Sequence, residues 1–140
     1  YIADAHPRSR APLPDSAFRA EIRVPEIPAT VPKGATLRLS VLITNRGDTM
    51  WPGCERSAGK FQINLGSHWL NASGQVASKE EGRTPLAADL SPGQETTLSF
   101  VVNAPAEPGE YLLEIDLLQE GVSWFGLKGS QTFRGRMTVV

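Results

Sequence analysis

EYLLEIDLLQEGVSWF, residues 110–125, is the stretch that indicates the fold most clearly. Apolar side chains occupy every second position of its first half: Tyr111, Leu113, Ile115 and Leu117. A period of two is typical of a β-strand with one face in a core. Gly121 then interrupts the run, and Val122–Phe125 brings two aromatic residues back. The stretch therefore predicts a central strand followed by a hairpin return.

The same alternation recurs along the rest of the chain, between clusters of turn residues. It predicts further strands at Ala20–Val24, Ala35–Asn45, Phe61–Leu65, Thr84–Leu86, Thr97–Val102 and Thr132–Val140. The first of these is expected at a sheet edge because prolines follow it. We expect Trp51 to close one end of the core and Gly135 to mark a β-bulge. With no helical period in the sequence, the fold class is an all-β, immunoglobulin-like antiparallel β-sandwich of about seven to nine strands.

The 140 residues are expected to form one sandwich domain preceded by a connector. Residues 1–18 contain Pro7, Pro12 and Pro14 and few apolar side chains, which favours an extended linker. Because the chain starts with Tyr1, we interpret it as a module of a longer polypeptide. The predicted organisation is a linker at 1–18, joined to a missing upstream domain, and a sandwich at 19–140.

Charge and cysteine content narrow the classes of partner. The 14 basic and 15 acidic residues leave a net charge of -1, and the basic residues form no block. Nucleic acid and anionic membranes are therefore poor partners. No apolar run reaches the roughly 18 residues that a membrane span needs. Cys54 is the only cysteine, so no internal disulfide can form, and a reducing cytoplasm is the predicted location.

Catalytic and metal chemistry find little support in the sequence. Glu114 and Asp116 share one face of a predicted strand at about 7 Å, within the range of an acid and base pair in glycoside hydrolysis. Exposed carboxylates on a strand are far more common, and no other feature supports the pair. His6, His68 and Cys54 are too few and too dispersed for a metal site. We therefore predict no enzyme activity, no catalytic residue, no metal and no cofactor.

Aromatic residues at strand ends are the better candidates for a binding site. A flat ring can pack against the apolar face of a sugar, while amide, carboxylate and guanidinium groups bind the hydroxyls. Two tryptophans at predicted strand ends have such polar neighbours. The predicted carbohydrate-binding residues are Trp69 with His68 and Asn71, and Trp124 with Gln119 and Glu120. The other interpretation of each tryptophan, including Trp51, is a buried core residue.

Several turn motifs carry a resemblance to a known family. They are Pro32-x-Gly34, Asn45-x-Gly47, Trp51-Pro52, Ser91-Pro92-Gly93, Ala104-Pro105-x-x-Pro108-Gly109-x-Tyr111 and the run from Asp116 to Phe125. From about residue 22 to residue 140 the chain resembles a bacterial immunoglobulin-like accessory module. Such modules occur beside glycosyltransferases, methyltransferases and export components of cell-surface polysaccharide pathways. The first half is also similar to the tryptophan-rich sandwich of autophagy receptors. Neither resemblance supplies a catalytic residue.

These observations leave three hypotheses. The first is a non-catalytic module that binds a bacterial surface polysaccharide, of O-antigen or capsule type, within a larger assembly or export protein. The second is a structural or protein-interaction module that positions an upstream catalytic or ATPase domain, or that forms a homodimer through an exposed strand edge. The third, a glycoside hydrolase built on Glu114 and Asp116, is the most distant.

Overall fold

The structure, a computed structural model, describes residues 11–53, 60–78 and 82–140. His6 and Cys54 lie outside these ranges. The strands are β1 (Ala20–Arg23), β2 (Thr30–Val31), β3 (Thr36–Asn45), β4 (Ile63–Leu70), β5 (Val76–Ser78), β6 (Arg83–Pro85), β7 (Glu95–Asn103), β8 (Gly109–Gln119), β9 (Ser123–Trp124) and β10 (Phe133–Val139). Two short 3₁₀ turns, Asp15–Ala17 and Phe125–Lys128, complete the described elements. No helix in these ranges is long and apolar enough to cross a membrane.

The strands form two sheets that pack face to face. The small sheet has the order β1-β3-β7, and the large sheet has the order β2-β10-β8-β4-β5, with β6 on β4 and β9 on β8. Every pairing is antiparallel except that of β2 with β10. The chain changes sheets between β1 and β2, where Pro25 and Pro28 prevent a continuous ladder. The prediction of an all-β, immunoglobulin-like sandwich is confirmed.

The strand that the alternation indicated is central. β8 pairs with β4 on one side and with β10 on the other. Its inward side chains Leu113, Ile115 and Leu117 are fully buried, as are Ile63 and Leu65 of β4. Apolar area removed from water along this face stabilises the sandwich, at about 25 cal/mol per Å².

Trp51 closes one end of the core, as predicted. It is fully buried, and its indole Nε1 donates to the carbonyl of Ala17 at 2.8 Å. The ring centroids of Phe18 and Trp51 lie 4.9 and 5.3 Å from that of Phe125, both edge-on. Since Ala17 and Phe18 are themselves buried, the sandwich begins before residue 19, inside the segment predicted as a linker. Residues 1–10 of that linker lie outside the described ranges.

The bulge predicted at Gly135 is wrong. β10 pairs with β8 in unbroken register from Phe133 to Val139. The glycine has a different role, because a Cβ at this position would lie 2.4 Å from Cδ1 of Ile27. Gly135 therefore lets the β1–β2 connection pack closely on the strand.

Candidate functional site

A polar groove of about 410 Å³ crosses the outer face of the large sheet. Its floor is set by strand register, since His68 of β4 and Arg134 of β10 lie directly opposite Glu114 of β8. Gly66 and Asp116 form the next row. These side chains point outward because their neighbours along each strand point into the core. Three adjacent strands thus place a histidine, two carboxylates and a guanidinium side by side.

Trp124 forms one wall of this groove. The short strand β9 pairs it with Leu118 and lays its ring over Gly66, where a Cβ would lie 2.8 Å from the indole. The His68 ring packs against it at 4.6 Å between centroids, and the Arg83 guanidinium lies over it at 5.0 Å. The indole is half-buried, and its exposed surface lines the groove.

Glu114 occupies the middle of the floor. Its Oε2 accepts hydrogen bonds from Thr132 Oγ1 and Arg134 Nε, both at 3.0 Å. Its Oε1 lies 4.0 Å from Nδ1 of His68. The carboxylate side chain is only 16% exposed, and these contacts compensate the loss of water. Glu114 is therefore held in one orientation with its neighbours already in place.

Asp116 is buried rather than solvent-facing. Its Oδ1 accepts from the backbone N–H of Leu117 and its Oδ2 from that of Gly126, both at 2.8 Å. Burial raises the pKa of this carboxyl to about 6, the two backbone hydrogen bonds work in the opposite direction, and the charge of Glu114 adds to the increase. Asp116 thus fixes the start of the 3₁₀ turn Phe125–Lys128, which borders the groove.

A second polar cluster supports Trp124 from the side. Glu120 Oε2 accepts from Asn64 Nδ2 at 2.6 Å and from Arg83 Nε at 3.0 Å. Arg83 is the residue that lies over the indole. Asn64 is 2% exposed, and its Oδ1 has no hydrogen-bond partner among the residues that the structure describes. The position of the tryptophan therefore depends on a partly buried network.

Three of the six predicted carbohydrate-binding residues come together here. His68 and Trp124 line the groove, and Glu120 reaches Trp124 through Arg83. Sequence reasoning missed Arg134 and Thr132, which also line it. The alternation within β10 could have identified Arg134, because it lies between the inward positions 133 and 135 and must therefore point outward.

The other three predicted residues have structural roles. Trp69 is 2% exposed, and its Nε1 donates to the carbonyl of Asn103 at 2.8 Å, so the core interpretation holds for it. Gln119 is 1% exposed and bonds the backbone of Ala11, Leu13 and Phe61. Asn71 Oδ1 accepts the N–H groups of residues 73 and 75 within the β4–β5 turn. None of the three contributes to the groove.

Metal binding has no geometric support in the described ranges. Within 11–53, 60–78 and 82–140, no group of three or more His, Cys, Asp or Glu side chains could hold a metal ion. The two carboxylates of the groove instead accept hydrogen bonds, Glu114 from Thr132 and Arg134 and Asp116 from the backbone.

Comparison with known proteins finds likenesses among solved structures only. No protein-family profile matches the sequence, and no curated protein matches it. Among solved structures, AvmM, which catalyzes macrocyclization in alchivemycin A biosynthesis, aligns with a TM-score of 0.50 and 12% identity over 87% of this chain and 89% of its own. A CARDB domain from Pyrococcus furiosus aligns with a TM-score of 0.48 and 16% identity over 87% and 86%. Spo0M from Bacillus subtilis gives 0.49 and 13% over 86% and 48%, so this chain spans about half of it.

At these identities the likeness concerns architecture alone. The chain is a two-sheet β-sandwich, and its alignment with AvmM is a likeness of fold. An association with polysaccharide pathways, which the sequence resemblance implies, stays a prediction.

Proposed function

We propose that this chain is a non-catalytic β-sandwich module that binds a glycan in the groove beside Trp124. The observation that carries the proposal is a half-buried indole next to the ordered Glu114–Arg134 pair. An aromatic surface and fixed polar groups at one place are what sugar recognition requires. The wider setting, assembly or export of a bacterial surface polysaccharide by a larger cytoplasmic protein, rests on the sequence resemblance.

The arrangement favours binding over catalysis. Both oxygens of Asp116 are engaged by backbone N–H groups, and the residue is 4% exposed. Both of its oxygens are therefore already engaged, although the residue lines the groove. Glu114 is paired with Arg134, which holds its carboxylate in one orientation. We accordingly propose that the two carboxylates shape the groove and do not cleave a glycosidic bond.

The test is calorimetric titration with a panel of bacterial surface polysaccharides. The wild type should bind at least one of them saturably, and Trp124→Ala should lose that binding while remaining folded. Ser99→Ala, on the outer face of the small sheet, is the matched control and should bind as the wild type does. No binding to any polysaccharide, or equal binding by Trp124→Ala, would overturn the proposal.

A second candidate is the interaction module, favoured by the edge of β10. β2 pairs only with Thr138 and Val139, so Phe133–Met137 keep one edge without a strand neighbour among the described residues. Leu127, beside this region at the rim of the groove, is 79% exposed. Open edges and exposed apolar side chains support association. Light scattering would reveal a stable dimer, and a monomer at all concentrations would exclude this candidate for self-association.

A further inference from the structure

We infer that the glycan bound in this groove is acidic, with a carboxylate held by Arg134 and Arg136. This inference rests on the proposed function and adds the chemical class of the ligand. On this face most hydrogen-bond acceptors are already engaged by the protein, whereas arginine donors remain available to a ligand.

The acceptors in the groove are largely engaged. Glu114 Oε2 accepts from two side chains, and both oxygens of Asp116 accept from the backbone. Glu110, further along β8, accepts from the hydroxyl of Thr138. A ligand rich in donors therefore finds few free acceptors here.

The available groups are donors. Arg134 uses only its Nε, and its two Nη amino groups make no hydrogen bond to any described residue, although the side chain is 55% exposed. Arg136 is exposed and makes neither a hydrogen bond nor an ion pair within the described part of the chain. Because arginine stays ionised, both guanidinium groups offer charged donors in a planar fork.

The two arginines act on the same side of the sheet. They are two residues apart on β10, which puts their side chains on one face about 7 Å apart. Arg134 lines the groove, and Arg136 lines an adjoining hollow together with Leu112 and Glu110. A sugar chain lying along β10 would meet both.

Two of the three nearby carboxylates are compensated or buried. Glu114 is paired with Arg134, and Asp116 is covered by the 3₁₀ turn. Arg136 makes no ion pair with a described residue; the exposed Glu110 of the same hollow balances its charge but leaves its donors unused. Planar, bidentate pairing with a carboxylate is the geometry that guanidinium groups favour, and a uronic acid in the glycan would supply that carboxylate.

The experiment compares a polysaccharide that contains glucuronic acid with the same polymer after its carboxyl groups are reduced to hydroxymethyl groups. The wild type should bind the acidic form roughly tenfold or more tightly than the reduced form, the range expected for charge-assisted hydrogen bonds. Arg136→Gln should reduce the preference for the acidic form, with Arg134 retaining part of it, and should leave affinity for the reduced form unchanged. Since Arg136 makes no hydrogen bond or ion pair with a described residue, the thermal unfolding of this variant should match that of the wild type.

Arg38→Gln provides the control, because Arg38 is an exposed arginine on the opposite outer face. It should retain the full preference for the acidic form. Equal affinity for both forms, with both lost in Trp124→Ala, would overturn the acidic ligand and keep the glycan module. Binding of a sulfated polysaccharide alone would overturn the carboxylate assignment, and no binding of any form would overturn both proposals.

Discussion

The outer faces of the two sheets are both polar, but they are built differently. On the small sheet, side chains of neighbouring strands pair in the open, as Thr36 does with Asn103 at 2.9 Å and Arg38 with Ser99 at 3.3 Å. On the large sheet, Asn64 and Asp116 are almost fully buried, Asn64 bonded to Glu120 and Asp116 to the backbone of Gly126. Burying polar groups costs free energy unless each is paired. Both faces are polar, and the proposed binding site rests on the buried polar network and half-buried indole that the large sheet alone combines among the described residues.

The largest expected effect separates the inner from the outer face of the large sheet. Trp69→Ala removes a buried indole and should lower the free energy of unfolding by about 3–5 kcal/mol. Trp124→Ala, on the outer face, should cost much less and act on ligand binding instead. Urea denaturation of both variants tests this, and equal losses would contradict the assignment of the two faces.

A smaller effect concerns the buried carboxyl. Since burial raises the pKa of Asp116 from 3.8 to about 6, the unfolded chain releases this proton first. Its contribution to stability is therefore complete below about pH 4 and is lost as the pH rises through 6, a change of roughly 2–3 kcal/mol.

Denaturation of wild type and Asp116→Asn between pH 4 and 7 measures this change. The difference in unfolding free energy between them should shift across that interval, while the contributions of Glu21 and Asp48, whose pKa values are lowered, cancel. A difference that stays constant with pH would show that Asp116 titrates normally.

The next prediction compares the loss of stability when one carboxylate is removed from each outer face. Glu120→Ala leaves the buried amide of Asn64 unpaired and should cost about 1–2 kcal/mol. Glu95→Ala removes an exposed ion pair with Arg23 and a partly buried hydrogen bond from Thr44, and should cost less, about 0.5–1 kcal/mol. Thermal unfolding distinguishes them, and a reversed order would remove the contrast between the faces.

The smallest effect is expected at Leu127. Because this side chain is 79% exposed, Leu127→Ser should change the unfolding free energy by less than about 0.5 kcal/mol. If the wild type self-associates through this rim, the same variant should be monomeric by light scattering. A destabilised variant would instead indicate that Leu127 is packed.

Much of the fold could be predicted because period-two alternation is strong in β3, β7 and β8. The same signal could have identified Trp69 as inward, since it shares its parity with Ile63 and Leu65. The outward position of Trp124 depends instead on the pairing of the short strand β9 with β8.

The groove could not be predicted from the sequence pattern. The Glu114–Arg134 pair needs the register of β8 on β10, across 20 residues of chain. The burial of Asp116 depends on the 3₁₀ turn that covers it. Hydrophobic periodicity does not predict such a turn. Local pattern thus predicted strands and their faces, whereas the site arises from contacts between strands.

The segment 11–18 packs against the sandwich through Ala17 and Phe18. The ring of Phe18 packs on Phe125, the carbonyl of Ala17 accepts from Trp51, and Gln119 bonds the backbone of Ala11 and Leu13. The segment 11–18 is in effect a peptide ligand that the chain supplies to itself. A chain shortened to begin at residue 19 would carry a vacant receptor, and the free peptide should restore its stability by fragment complementation.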